Sequence, residues 1–164
     1  MISKKMAKEI NAQINREFFS AFLYLAMAND ALDKGFQGTY KWMSIQFKEE
    51  QEHALKFSKY LQDQGVKVEL DAMEAPRKSW KSILEMFEDA LAHEKKVTAW
   101  IYDLNTLAIA EKDYATQSML KWFIDEQVEE EAQCVEAISA LSMVGASAGS
   151  LYMVDRHIGK RGES

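Results

Sequence analysis

Two short motifs in this 164-residue sequence carry residue types that bind metal ions: Glu50-x-x-His53 within KEEQEH, and Gln127-x-x-Glu130 within DEQVEEE. Carboxylate oxygens with one imidazole suit a moderately hard cation such as iron or manganese and leave coordination positions open for a reactant. In a helix, a three-residue step keeps both members of each motif on one face. Two more carboxylates interrupt apolar helical stripes: Glu17 in Ile10, Ile14, Glu17, Ala21, Tyr24, and Glu94 in Phe87, Ala90, Glu94, Val97, Ile101.

The spacing of these residues repeats. Glu17 and Glu50 lie 33 positions apart, as do Glu94 and Gln127, and a shift of 77 positions carries Glu17, Glu50 and His53 onto Glu94, Gln127 and Glu130. A single glutamate in an apolar seam is ordinarily a boundary residue whose head reaches water. Four helices that break pattern at symmetry-related positions are a different matter, because burying several carboxylates together is costly unless cations neutralise them. Glu50, central in the set, is the natural bridging carboxylate. Where the second half has Gln127-x-x-Glu130 in place of Glu-x-x-His, the two metal positions become chemically unequal.

Apolar periodicity predicts the elements that present these residues: four long helices over about residues 3–34, 37–64, 82–111 and 113–141. Gly65 is read as a helix terminator and Asp113 as the N-cap of the fourth helix. Pro76, the one proline, lies in a stretch without helical periodicity, long enough when extended to run the length of a bundle. Short turns within each half make each an antiparallel hairpin. The expected fold is an all-α four-helix bundle of one domain, with a long crossover between helices two and three. The bundle spans about residues 3–142, and a short fifth helix, about 150–159, follows the small-residue hinge GASAG.

Composition narrows the function classes. A net charge of −6 argues against a nucleic-acid partner. No window reaches the length of a membrane span, and the charged, helix-patterned start MISKKMAKEINAQ lacks a signal peptide's apolar run, so a cytoplasmic location is expected. The single Cys134 excludes an internal disulfide and a thiolate metal cluster.

KEEQEH, the His93-Glu94 pair, LKWFIDEQVEEE and NREFFSAFLYLAMA together resemble the bacterial non-haem ferritins over essentially the whole chain. The resemblance implies a ferritin-like fold and a ferroxidase centre. Glu17, Glu50 and His53 would hold one iron, and Glu50 and Glu94 a second, with Gln127 and Glu130 close by. A third iron position would be formed by Glu49, Glu126, Glu129 and Glu130. Tyr24, two turns after Glu17, would place its phenol near the pair as a hydrogen-bond or electron donor; Trp122 is read as packing. The expected activity is oxidation of Fe²⁺ by O₂ or H₂O₂, with storage as ferric mineral inside a homo-oligomeric shell of 24 subunits, for which the segment 151–158 would line the fourfold contacts.

Rival readings fit less well. A haem-binding relative needs an axial methionine immediately before His53, where this chain has Glu52, so no haem is expected. A rubrerythrin-like peroxidase needs four cysteines. A catalytically inactive shell would not need the intact ligand set. A purely structural bundle leaves the symmetry-related carboxylates unexplained.

Overall fold

The computed structural model describes residues 2–163. Among them are five helices and no strand: α1 (Lys4–Asp33), α2 (Gln37–Asp63), α3 (Ile83–Ala110), α4 (Tyr114–Val144) and α5 (Ala148–Ile158). The predicted boundaries hold to within a few residues. α4 runs to Val144, about one turn further than expected, and α5 begins at Ala148, which shortens the hinge.

Helix starts follow local hydrogen-bond chemistry. Ser3 accepts from the Met6 amide, Ser82 from Glu85, and Asp113 from Thr116, each satisfying a donor that the first helical turn leaves free. The α1–α2 turn needs glycine, since Gly35 has φ +85°. α2 closes with the Val66 amide bonded to Leu61 O beyond Gly65 at φ +73°.

α1 packs along α2, α3 along α4, and α1 also meets α3. The crossover is fastened rather than loose. Asn11 exchanges two hydrogen bonds with the backbone of Glu69, and Asn15 accepts from the Asp71 amide. At its far end the buried Trp80 donates its indole N–H to Asp89, while its amide donates to Asp30.

α2 has no side-chain cap of its own. Its first amides are capped from far along the chain by Asp155 of α5, whose carboxylate accepts from Gly38 N (2.8 Å), Thr39 N (2.7 Å) and Thr39 Oγ1 (2.7 Å). An anion at a helix N-terminus is stabilising by up to ~2 kcal/mol when partly buried. The approach requires glycine at Gly38, because a Cβ there would lie 1.7 Å from the Asp155 carbonyl oxygen. Gly38→Ala must therefore displace α5. We expect it to lower stability by about 1–3 kcal/mol, the usual cost of overpacking, and to raise amide exchange across α5; an unchanged melting temperature and exchange pattern would contradict this contact.

The bundle interior falls into two apolar clusters. One is built around Tyr24, Met27, Trp42, Met43, Phe87 and Leu141, the other around Ile10, Ile14, Phe57, Ile101, Leu120 and Phe123. Between them, at mid-height, lies a layer of buried polar side chains.

Candidate metal centre

That layer contains Glu17, Glu50, His53, Glu94, Gln127 and Glu130, all buried. Four helices each contribute from their middle turns, because the 33-residue spacing in each hairpin brings its polar residues to one level. Aromatic rings close the layer on both sides. Trp42 packs edge-on to Phe87 with centroids 4.9 Å apart, and Phe57 stacks on Phe123 at 3.9 Å. His53 is held edge-on between Trp122 (5.4 Å) and Phe123 (5.8 Å). Trp122 itself is partly exposed and carries the Lys56 ammonium 3.4 Å above its ring, a packing role as expected.

The carboxylates are individually supported. Gln13 donates to Glu17 Oε1 (2.7 Å), and Gln46 donates to Glu50 Oε1 (3.1 Å) and Glu130 Oε2 (2.5 Å). The Tyr24 hydroxyl donates to Glu94 Oε1, and Gln127 Nε2 donates to Glu94 Oε2 (3.0 Å). His53 Nδ1 lies 3.4 Å from Glu50 Oε2. Glu17 Oε2 is buried and has no hydrogen-bond partner among the described residues. An unpartnered buried carboxylate oxygen aimed into a layer of other carboxylates is the feature that fits a metal ion, which supplies the missing contact.

Electrostatics agree. Burial, then the Glu50 carboxylate, pushes Glu17 well above the ordinary carboxyl range. Burial, then Glu94 and Glu130, does the same to Glu50, and burial also raises Glu94 against the opposing hydrogen bonds from Tyr24 and Gln127. Glu130 is pushed up to about 8 by burial and by Glu94. Burial and the neighbouring Glu94 likewise raise the Tyr24 phenol. Burial thus favours the protonated form of each of these acids when no cation is present, and Glu130, at about 8, keeps its proton at neutral pH; divalent ions would displace such protons.

Three overlapping groups place one ligand atom from each member within 4.8 Å of the others: Glu17–Glu50–His53, Glu50–Glu94–Glu130 and His53–Glu126–Glu130. Glu50 belongs to the first two, the position of a bridge. The third differs from the set that the resemblance implies. Glu126 and Glu130 are brought together, but with His53. Glu49 is instead bonded to Arg161, 2.6 Å away, and Glu129 is exposed on the next face of α4.

His93, adjacent to Glu94, does not enter the centre. Its Nε2 lies 2.7 Å from Ser20 Oγ, its ring packs by Phe19 and Trp100, and burial with Lys96 lowers it to about 4, so it is neutral. Cys134 is buried beneath the site, its thiol pushed up by burial and by Glu94.

The supporting residues Gln13, Gln46 and Arg161 are not among those expected from the motifs. A signal for two of them exists: Gln13 and Gln46 are also 33 positions apart, each four residues before its glutamate. Arg161 carries none.

This layer lies within the region, residues 7–144, that matches the family described as Ferritin-like domain. The chain is 40% identical over 161 residues to a bacterial non-heme ferritin of Staphylococcus aureus, covering 98% of this chain and 97% of that protein. The chain belongs to the ferritin family. A bacterial non-heme ferritin of Staphylococcus haemolyticus matches over the same shares at 40% identity. Among solved structures, the open pore ferritin of the archaeon Archaeoglobus fulgidus superposes with a TM-score of 0.96 at 39% identity, over 98% of this chain and 99% of that one. Ferritins are iron-storage proteins, so iron is the metal this donor set is to be judged against, and oxygen donors with one imidazole fit it. No helix among the described residues is long and apolar enough to cross a membrane.

Proposed function

We propose that this protein oxidises Fe²⁺ at the buried carboxylate layer and stores the ferric product as mineral within a hollow homo-oligomer. The observation that carries the reading is Glu50, shared by two ligand groups in a layer where Glu17 keeps an unpartnered oxygen. Glu17, Glu50 and His53 take one Fe²⁺; Glu50, Glu94 and Glu130 take the other. Gln127 spends its amide N–H on Glu94 and leaves its carbonyl oxygen for the second ion. Tyr24 holds the other Glu94 oxygen in place.

Each Fe²⁺ gives up one electron to the oxidant, O₂ or H₂O₂. Anionic ligands favour the product, because a trivalent ion gains more from them than a divalent one. When two Fe²⁺ reduce one O₂ to H₂O₂, two protons are consumed, and the carboxyl protons expelled as iron binds are at hand to supply them. The aromatic layers above and below exclude bulk water from the pair.

Glu126 and Glu130, grouped with His53, form the side of the centre toward which a third iron would bind, with Glu49 held by Arg161 and Glu129 exposed as further carboxylates of the expected set that would have to be recruited to it. We place the protein in the cytoplasm as one domain, assembled into a shell of 24 copies with α5 at its fourfold contacts. The alternative, a storage shell whose centre is inactive, is separated by stopped-flow absorbance of the assembled apo-protein mixed aerobically with two Fe²⁺ per chain. A fast phase in the wild type that disappears in Glu94→Ala, with both samples of the same large mass, is expected. Equal slow oxidation in the two would leave only the passive container.

A further inference from the structure

The turn after α5 returns to the metal layer. Gly159 packs against Gly38, where a Cβ would come within 2.7 Å of the Gly38 Cα, and Gly162 turns the chain at φ +78°. Between them Arg161 lies over the Trp42 ring, 4.4 Å from its centroid, and donates from Nη1 to Gln46 Oε1 (2.7 Å) and from Nη2 to Glu49 Oε2 (2.6 Å). Gln46 in turn donates to both Glu50 and Glu130. One guanidinium thus neutralises Glu49 and orients the amide that positions two ligands of the centre.

We propose that Arg161 is a built-in cation at the mouth of the metal centre, which a third divalent ion must displace to recruit Glu49. This rests on the metal-centre reading above and concerns how that centre is filled. The guanidinium 2.6 Å from Glu49 already neutralises that carboxylate, and a divalent ion brought to it would be repelled by the positive charge beside it, so the two cations compete for Glu49. The displaced guanidinium has somewhere to go. A cleft of about 300 Å³ lies beside it, lined by Trp42, Gln133, Glu136, Ile158 and Arg161 itself, and the Glu136 carboxylate there offers the guanidinium a second anionic partner. The third position is therefore conditional: occupied, it frees the turn after α5; vacant, it is closed by a cation that cannot be oxidised. Arg161 is a positioning residue that acts through Gln46 and Glu49.

Anaerobic calorimetric titration of the assembled apo-protein with Zn²⁺, which is redox-silent, tests the competition. The wild type is expected to bind two equivalents per chain tightly and a third more weakly. In Arg161→Ala the third should bind about tenfold more tightly, toward the lower end of ordinary coupling between sites, while the first two, whose ligands Glu50 and Glu130 lose the oriented Gln46 amide, should be weakened or unmoved but never tightened. Arg161→Lys should move the third affinity back toward wild type, and adding Glu49→Gln to Arg161→Ala should abolish the gain. In the wild type alone, the third equivalent should speed amide exchange over residues 160–163. A third affinity unchanged or weakened in Arg161→Ala, or no third equivalent in either protein, overturns the proposal while leaving a two-metal centre intact. Absence of any tight equivalent in the wild type overturns both.

Discussion

Glu50→Ala is expected to abolish the fast phase of Fe²⁺ oxidation, a loss on the order of 100-fold or more, because it removes the one carboxylate common to both metal groups and with it the geometry that holds two ions together. His53→Ala should be milder in binding. It removes a ligand from the first position but leaves Glu50, Glu94 and Glu130 as a group, so one tight Zn²⁺ equivalent should survive in His53→Ala, whereas Glu50→Ala should weaken both. Stopped-flow rates and anaerobic Zn²⁺ stoichiometry measure the two effects separately. Survival of one tight equivalent in Glu50→Ala, as in His53→Ala, would show that Glu50 is not a bridge.

The metal-free protein should lose stability as pH rises from about 5 to about 8, the reverse of what salt-bridged carboxylates give. Glu17, Glu50, Glu94 and Glu130 all have folded-state values raised by burial, with Glu130 at about 8. Their stabilising contribution is complete below the unfolded carboxyl value. It is lost as pH climbs toward the folded value, because over that interval the native state binds more protons than the unfolded chain. Each proton so held corresponds to about 1.4 kcal/mol per pH unit, which makes the combined loss several kcal/mol. Thermal melts of apo-protein between pH 5 and 8 should show the decline, and Zn²⁺ at about 100 times its dissociation constant should restore about 2.7 kcal/mol per site at the upper end. Glu17→Leu should raise apo stability near pH 8 by roughly 1–4 kcal/mol, as replacing buried charge with packed apolar volume does, while weakening metal binding. A flat or rising apo profile would mean that the carboxylates are not buried together in solution.

Much of this was legible in the residues. Asp113 and Gly65 mark helix ends because capping is chemistry between neighbours in the chain, and the structure uses each in that role. The polar layer was legible as well: the repeated interval of 33 fixes which residues of one hairpin face each other, and the shift of 77 aligns the second hairpin with the first. The Gln13 and Gln46 pair obeys the same interval and needed only the same reading applied to amides as well as carboxylates.

Other features carried no periodic or local signal. Trp80 lies in the aperiodic crossover, yet it is buried there, because the connection is bonded along α1 and brought under the end of the bundle. Asp155 sits in a segment that reads as a short amphipathic helix, and its task as the missing cap of α2 depends on a contact between residues 38 and 155. Glu49 looked interchangeable with Glu126 and Glu129 as a third-site ligand. The fold separates them: Arg161 claims Glu49, Glu129 turns outward, and Glu126 comes beside His53 and Glu130.

The order of residues along this chain was thus enough to define four helices, their pairing, and the residues at their common level, since helical period and hairpin length are properties of consecutive residues. What stands around that level was settled by packing between distant segments. The cap on α2, the closure by Trp80 and the guanidinium at Glu49 depend on where α5 and the crossover come to rest, and that position is the outcome of many weak contacts acting together rather than of any one motif.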